Sequence, residues 1–236
     1  MSSELNVFGQ PIGHIVEDWQ PCEWPPHQTM EGAFCRLEPL NPTRHAEDLF
    51  AANSLDIEGK NWVYLFYGPF RDFKSYQEWM EKTCCGRDPL FFAIIDKHTE
   101  KAVGVASYLR IQPEIGSIEV GHIQYSPLLQ RKPAATEAMY LMMRNVFEAG
   151  YRRYEWKCHA FNEASRRAAV RLGFSFEGVF RQAAISKGRN RDTAWYSVIN
   201  TEWPEIRKAF QEWLSVENFD KNGVQQQGLA AFMKQQ

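Results

Sequence analysis

The alternation of apolar and polar positions predicts an antiparallel series of strands in the middle of the chain. Residues 90–96 and 102–111 alternate on either side of a short polar turn, which is typical of a hairpin. Residues 116–125 follow as the next strand, and residues 33–40 form a first strand ahead of the series. Three further strand patterns come later in the chain, at 152–160, 174–184 and 193–199, the last two around a polar turn at 186–192.

Apolar residues at helical spacing predict five helices. The first two follow the capping residues Asn41 and Asp72, and the last begins at Pro204. The third spans 133–149 and the fourth 162–172, and a glycine closes each of them. Because strands and helices are mixed rather than strictly alternating, the predicted fold class is α/β (α+β), with a mixed central sheet flanked by helices.

The two ends of the chain differ from the middle. Prolines interrupt residues 1–32, so we expect an extended N-terminal arm whose Trp19 and Trp24 dock on the body. Residues 33–217 are predicted to form one domain. Residues 218–236 have few apolar residues before 229–233, and they are predicted to be a loosely held C-terminal tail.

Composition and charge narrow the classes of function. Of the 236 residues, 44% are hydrophobic and 24% are charged, as in ordinary globular proteins. The net charge of -2 gives no reason to expect DNA or an anionic membrane as a partner. No run of about 18 apolar residues predicts a membrane span, and the first residues do not resemble a signal peptide. We therefore expect a cytoplasmic protein.

The five cysteines show no spacing typical of zinc sites. None of them forms a C-x-x-C pair, and their number is odd. We expect reduced thiols without a catalytic or ligating role, and no metal site.

Residues 130–136 predict an anion-binding helix start. Gln130, Arg131 and Lys132 lead directly into the third helix, and the first N–H groups of a helix have no internal partner. The small residues Ala134 and Ala135 allow close approach to the backbone. The segment is therefore a candidate pyrophosphate cradle. A plain strand-to-helix turn with a solvated basic pair explains the same residues.

Three blocks of sequence resemble one family. Gln130-x-x-Pro133-x-Ala135, followed by Thr136, is similar to the coenzyme A signature of the GNAT acetyltransferase superfamily, in particular its RimJ/RimL-like branch. The residues NEASRR from Asn162, LGF at 172–174, and the glutamate, glycine and arginine after them resemble a second block of this branch. Residues 192–199 resemble its closing strand, so the resemblance covers roughly 33–215.

The resemblance implies a GNAT-like fold with a mixed, mostly antiparallel sheet and acetyl-CoA as cosubstrate. In such a fold the strand 119–125 splays from its neighbour and frees backbone groups for the pantetheine arm. The implied coenzyme contacts are Ile123, Gln124, Tyr125, Gln130, Arg131, Lys132, Ala134, Ala135, Thr136, Asn162 and Ser165. The helix cap is an alternative or additional role for Asn162 and Ser165.

Two positions depart from the family pattern. Pro133 stands where the signature has its central glycine, and proline has no N–H to donate to a phosphate. Ala169 stands where many members carry the tyrosine that protonates the departing thiolate. We therefore expect weaker or shifted pyrophosphate contacts and a different proton donor.

Glu119 and Ser165 are the catalytic candidates. Glu119 matches the glutamate of the family's E-x-G-Y-like strand and would accept the amine proton directly or through water. Its alternative role is a polar strand position. Ser165 would contact the coenzyme sulfur in place of the missing tyrosine. Strand alternation places His122 on the opposite face from Glu119, so the two are not expected to share a site.

The acceptor is the least defined part of the prediction. An aromatic run lies where this fold shapes its amine site, and it suits either a pocket wall or core packing beneath a loop; its members are Trp62, Tyr64, Phe66, Tyr67 and Phe70. The expected reaction transfers an acetyl group by direct attack of a small amine or a protein N-terminus. The alternatives are a coenzyme-A-binding sensor without catalysis and transfer of succinyl or another acyl group. A homodimer is also compatible with the resemblance.

Overall fold

In the computed structural model, which describes residues 3–221 and 223–233, one eight-stranded sheet forms the centre of the molecule. Its spatial order is β3-β4-β5-β6-β7-β8-β10-β9, and a separate hairpin of β1 (Ser3–Leu5) and β2 (Pro11–Gly13) precedes it. The sheet strands are β3 (Met30–Glu31), β4 (Cys35–Pro39), β5 (Leu90–Asp96), β6 (Lys101–Gln112), β7 (Ser117–Tyr125), β8 (Arg153–His159), β9 (Ser175–Ser186) and β10 (Arg189–Ile199).

The five predicted helices are present. They are α1 (Pro42–Asn53), α2 (Phe73–Thr83), α3 (Pro133–Glu148), α4 (Glu163–Arg171) and α5 (Trp203–Trp213). The side chains of Asn41, Asp72 and Asn162 accept hydrogen bonds from the first turns of α1, α2 and α4, as their sequence positions predict.

The sheet separates two apolar cores. Leu49 of α1 and Met80 of α2 pack with Phe91 in the smaller core. Residues of α3 and α5, such as Met142 and Phe210, pack with the other face of the sheet in the larger core. The apolar stripes of these helices therefore face the sheet, as their spacing predicts.

The predicted splay is present between β7 and β8. These two strands are parallel, and their pairing runs only from Ser117 opposite Arg153 to Val120 opposite Trp156. Beyond Val120 the last five residues of β7 pair only with β6 among the described strands. The backbone of β7 is therefore open on the β8 side where the strands diverge.

A β-bulge distorts β7 at this point. Gln124 lies opposite Val105 and Gly121 lies opposite Ser107, so two residues of β7, His122 and Ile123, face one residue of β6. His122 has a left-handed backbone, with φ of 50°. A bulge changes the direction in which the following side chains point.

The N-terminal arm docks through both predicted tryptophans. The indole N–H of Trp19 donates to the carbonyl of Glu114 at 3.0 Å, and the guanidinium of Arg87 lies 4.5 Å from the ring centre of Trp24. The arm ends against α3, where the buried carboxylate of Glu137 accepts three backbone N–H groups, from Ala33, Phe34 and Cys35, at 2.6, 2.7 and 2.8 Å.

Part of the predicted tail, residues 218–236, contacts the body of the protein in the described residues. Leu229 is 2% exposed and belongs to the larger core. The amide of Asn218 donates to the carbonyls of Trp213 and Gln227 at 2.9 and 3.1 Å. One buried polar side chain thus organises a segment that has few apolar residues.

The last hairpin is longer than its sequence pattern predicts. Most of the supposed polar turn at 186–192 is strand, and β9 and β10 meet at a turn of Lys187 and Gly188. Polar residues are tolerated here because β9 is an edge strand with mostly exposed side chains. The described helices include none that is long and apolar enough to cross a membrane, and the five cysteines, all within the described residues, are free thiols.

Candidate active site

A cavity of about 180 Å³ opens where β7 and β8 diverge. Strand β7, strand β8, the start of α4 and the aromatic loop after α1 all contribute to its wall. The lining side chains that concern chemistry are Glu119, His122, Lys157, Cys158, His159, Ser165 and Arg191, with Asn61, Tyr64, Phe66, Tyr67, Trp156 and Asn162 around them.

Glu119 lies in this cavity within an ionic network. Its carboxylate is 2.9 Å from the Nζ of Lys157 and 3.4 Å from the Nε of Arg110. Lys157 also contacts Glu155 at 2.6 Å. Burial raises the pKa of Glu119, and the two cations partly offset this rise. The site thus holds a desolvated carboxylate that is oriented by its ion pairs.

His122 lies in the same cavity, so the prediction that it would not share a site with Glu119 was wrong. The bulge at His122 breaks the strict alternation on which that prediction depended. The ring stacks on Tyr67 at 5.7 Å, and Nδ1 lies 3.2 Å from the Tyr67 hydroxyl. Burial lowers the pKa of His122 to about 4, so the imidazole is neutral at pH 7.

Asn162 and Ser165 meet at the start of α4, on the cavity wall. The side-chain oxygen of Asn162 accepts the backbone N–H of Ser165 at 3.1 Å. The indole of Trp156 donates to the Ser165 hydroxyl at 3.0 Å. A side-chain hydrogen bond of Ser165 also acts on the neighbouring thiol of Cys158, whose pKa it lowers against the effect of burial. The hydroxyl proton can turn from Cys158 to a bound molecule, so the capping role of Asn162 does not prevent such a contact.

Ala169, the position of the missing tyrosine, is fully buried on α4 in the larger core. Its methyl group packs against apolar neighbours and does not line the cavity. The residue of α4 that brings a hydroxyl to the cavity is Ser165.

Among the three β7 residues predicted to contact the coenzyme, Ile123 lines the cavity. The side chain of Gln124 points to α1, where its amide donates to the Asn53 oxygen at 2.6 Å. The Tyr125 hydroxyl donates to the carbonyl of Ala135 at 3.2 Å, which ties β7 to α3. Gln124 and Tyr125 can therefore meet a ligand in the cavity only through their backbone.

In the described part of the chain, the starts of α3 and α5 lack the side-chain cap that α1, α2 and α4 have, and that of α3 follows two basic residues. Lys132 is the N-cap and makes no side-chain capping bond with any described residue, and Arg131 before it has a left-handed backbone with φ of 61°. Gln130 is exposed, and its amide donates to Asn61 at 2.9 Å and to the carbonyl of Tyr125 at 3.0 Å.

The side chains of the last residues of the candidate cradle face inward. Ala134 and Ala135 are 4% and 9% exposed, and Thr136 is buried with its hydroxyl 3.1 Å from a guanidinium nitrogen of Arg171. A ligand can therefore approach the backbone that precedes these residues, but it cannot reach their buried side chains.

The aromatic run divides between the two roles that the sequence left open. Tyr64, Phe66 and Tyr67 line the cavity. Trp62 is buried in the smaller core, and Phe70 packs against that core. One stretch therefore supplies both a pocket wall and packing beneath a loop.

Sequence reasoning missed Lys157, His159 and Arg191 as cavity residues. Arg191 is 9% exposed; it donates to the carbonyl of Tyr64 at 3.0 Å and lies 4.4 Å from the ring centre of Phe66. Burial lowers the pKa of Arg191 and of His159. No local motif identifies these residues, since they come from strands far apart in sequence that only the sheet brings together.

The chain is similar to known acetyltransferases in both sequence and structure. A sequence profile described as acetyltransferase (GNAT) domain matches residues 35–175. A crystal structure of a GCN5-related N-acetyltransferase from Brucella melitensis is 48% identical, with a TM-score of 0.90, and the match covers 92% of this chain and 99% of that one.

Two further structures extend the comparison. A probable GNAT-family acetyltransferase from Chromobacterium violaceum is 37% identical, with a TM-score of 0.77, over 83% of this chain and 98% of that one. The microcin C7 self-immunity acetyltransferase MccE, solved with acetyl-CoA and AMP, shares the fold at 22% identity and a TM-score of 0.62, over 71% of this chain and 93% of its own. No curated protein matches the chain.

Proposed function

Because the chain belongs to the GNAT acetyltransferase family, we propose that it transfers the acetyl group of acetyl-CoA to the primary amine of a small molecule. The observation that carries this proposal is the opening between β7 and β8, which joins a free strand backbone to a cavity with a buried carboxylate. The thioester end of acetyl-CoA and the acceptor amine can enter this opening from opposite sides.

The start of α3 suits the pyrophosphate of the coenzyme. The positive end of the helix dipole and the basic residues Arg131 and Lys132 favour an anion. Pro133 removes one N–H donor from this start. Gln130 adds a side-chain amide, and its bond to Asn61 connects the cradle to the aromatic loop on the acceptor side.

The chemistry follows from the cavity residues. The amine nitrogen forms a bond to the thioester carbon while the carbon–sulfur bond breaks and the thiolate leaves. Glu119 accepts the proton that the amine loses, directly or through water. A backbone N–H of β7 near Ile123, on the side open toward β8, stabilises the carbonyl oxygen as it gains charge, and the Ser165 hydroxyl donates to the leaving sulfur.

A small acceptor suits the cavity better than a protein N-terminus, which the RimJ/RimL-like blocks also suggest. The cavity is only about 180 Å³, and the rings of Tyr64, Phe66 and Tyr67 enclose it on one side. These dimensions fit the reacting end of a small amine, whereas a protein tail needs an open groove.

Replacing Glu119 tests its role as the base. E119Q is expected to lower kcat by about 100-fold, the lower end of the range for general-base catalysis, with acetyl-CoA affinity unchanged. Glu119 must be unprotonated to act as the base, and burial raises its pKa. The activity of the wild type should therefore decrease at acidic pH, with an apparent pKa above the usual value for glutamate. An unchanged kcat in E119Q removes Glu119 from the mechanism.

Glu155 supplies the matched control, since it contacts the same Lys157 at 2.6 Å but does not line the cavity. Its charge raises the pKa of Glu119. E155Q should therefore keep most of the turnover and shift the acid limb of the pH profile to lower pH.

Calorimetric titration with acetyl-CoA, succinyl-CoA and free coenzyme A tests the coenzyme. Micromolar binding of acetyl-CoA, followed by turnover with an amine panel, supports the proposal. Preferential binding of succinyl-CoA would identify succinyl, rather than acetyl, as the transferred group. Binding without turnover of any amine identifies a coenzyme-A-binding protein without catalysis, and absence of binding to all three rules out the coenzyme site.

A further inference from the structure

Three cations of the β9–β10 hairpin face the acceptor side without acidic partners. Arg191 lines the cavity, while Lys187 and Arg189 line an adjoining one of about 440 Å³ that shares Tyr64 and His159 with it. None of the three cations forms an ion pair with any carboxylate in the described residues.

The other cations beside the site are neutralised. Lys157 lies between Glu119 and Glu155 at 2.9 and 2.6 Å, and Arg153 contacts Glu155 at 2.7 Å. Both histidines of the cavity, His122 and His159, have lowered pKa values and are uncharged at neutral pH. The charge of Glu119 also acts on Arg191 and raises its pKa against the effect of burial. Because Glu119 is already paired with Lys157 and Arg110, Arg191 still adds positive charge to the cavity.

The surroundings of Arg191 leave most of its donors unused. Only 9% of the residue is exposed, and a guanidinium has five N–H donors in a planar fork. One nitrogen donates to the Tyr64 carbonyl, and the Phe66 ring lies 4.4 Å away. No other protein acceptor among residues 3–221 and 223–233 contacts the guanidinium.

A buried charge without a counter-ion destabilises a fold unless something compensates it. The Tyr64 carbonyl and the Phe66 ring compensate in part. The donors that remain face a cavity, so an anion can reach them. A purely structural arginine that only held the aromatic loop would be expected to have an acidic partner on the protein.

Resting on the function proposed above, we infer that Arg191 binds a carboxylate of the acceptor, so that the substrate is a small molecule with both an amine and a carboxylate. The planar fork of arginine matches a carboxylate through two parallel hydrogen bonds. Glu119 lines the same cavity, so one small molecule can place its carboxylate at Arg191 and its amine near Glu119. Lys187 and Arg189 outnumber Glu58 on the wall of the adjoining cavity and so favour anions at the mouth.

The test compares matched acceptors that differ only in the anion. Acetylation of alanine, leucine and phenylalanine is assayed in parallel with acetylation of their α-amides, at saturating acetyl-CoA. Their binding to the coenzyme-A-loaded protein is measured by calorimetry in parallel. The amide amines lose their protons more readily than the amino acid amines, so preference for the carboxylates would run against intrinsic reactivity.

We expect kcat/KM to be at least about 10-fold higher for the amino acids than for their amides, because a charge-assisted hydrogen bond to Arg191 is lost in the amides. R191Q should abolish that preference by raising KM for the carboxylates about 10- to 100-fold, with KM for acetyl-CoA unchanged. R191K should fall between the two, because lysine keeps the charge but not the fork. R207Q removes one charge from the exposed surface of α5 and should behave as wild type.

Three outcomes overturn the inference. These are equal use of acids and amides by the wild type, a preference that survives in R191Q, and no binding of any pair to a protein that does bind acetyl-CoA. The last outcome leaves the coenzyme assignment intact. Failure to bind acetyl-CoA at all removes the proposed function itself, so the two failures are distinguishable.

Discussion

Helices α3 and α4 both start next to the diverging strands β7 and β8, but only α4 has a side-chain acceptor for the N–H groups of its first turn. The first turn of α4 is capped from within, since Asn162 accepts the N–H of Ser165 at 3.1 Å. The start of α3 has Lys132 at the N-cap, with no side-chain capping bond in the described part of the chain. Every helix start has N–H groups that need an acceptor.

The difference shows what each helix start can do. A capped start has used its donors for stability. An uncapped start with basic residues before it keeps positive potential for an anion from outside. Proline at the first position of α3 preserves the helical geometry while donating nothing itself. Under the proposed function, the phosphates of the coenzyme would lie at α3 and its pantetheine or acyl end in the region of α4.

Capping α3 from within is the change with the largest expected effect. K132D supplies a side-chain acceptor and should raise the free energy of unfolding by about 1 kcal/mol. It should also raise the Kd for acetyl-CoA by about 100-fold, because it reverses a charge beside the phosphates. Chemical denaturation and calorimetry measure the two effects.

K132N separates capping from charge, since asparagine caps as well as aspartate. It should give the same stabilisation with a loss of affinity of only about 10-fold, from removal of one charge. Unchanged acetyl-CoA binding in K132D would show that the phosphates do not lie at α3.

Removing the cap of α4 should have a smaller effect. N162A is expected to cost about 1 kcal/mol of stability, the usual value for a lost N-cap. If Asn162 also contacts the pantetheine arm, KM for acetyl-CoA rises as well, by about 10-fold for one lost hydrogen bond. Thermal denaturation and steady-state kinetics distinguish the two contributions.

Asn41 is the matched control, because it caps α1 in the same way, through the N–H of Arg44 at 3.1 Å, and does not line the cavity. N41A should lose similar stability without any change in KM. The same KM for acetyl-CoA in N162A and N41A would show that Asn162 only caps α4.

The smallest effect is expected from restoring the glycine of the family signature. P133G adds an N–H at the start of α3 and should tighten acetyl-CoA binding by about threefold, the weak end of the range for a hydrogen bond. The greater freedom of glycine in the unfolded chain should cost up to about 1 kcal/mol of stability. P42G at the start of α1 should show the same cost and no change in affinity.

Much of the fold followed from local pattern. The apolar spacing of α1, α2 and α3 identified the faces that are buried, and Asn41, Asp72 and Asn162 marked helix starts where caps are observed. The hairpin of β5 and β6 agrees with the local pattern, and the divergence of β7 from β8 agrees with what the family resemblance implied. The caps, helix faces and hairpin depend on neighbours within a few residues.

The errors occurred where a distant contact decides the outcome. Strand alternation separated Glu119 from His122, but a bulge opposite Ala106 brings both into one cavity. The contacts of the C-terminal segment were likewise not foreseen, since the Asn218 amide donates to the carbonyls of Trp213 and Gln227. Neither effect has a signature in the local spacing of apolar residues.

The sequence by itself determined the order of the elements, the helix caps, the basic helix start at 130–133 and the resemblance to acetyltransferases, because each depends on residues close together along the chain. Only the tertiary structure decided which charges are neutralised and which remain. Lys157 and Arg191 are the same in formal charge, but Lys157 lies between two carboxylates, whereas Arg191 faces the cavity without an ion pair to any carboxylate of the described residues. The physical reason is that Coulomb interactions and desolvation depend on distances in space, which the fold sets and the spacing along the chain does not.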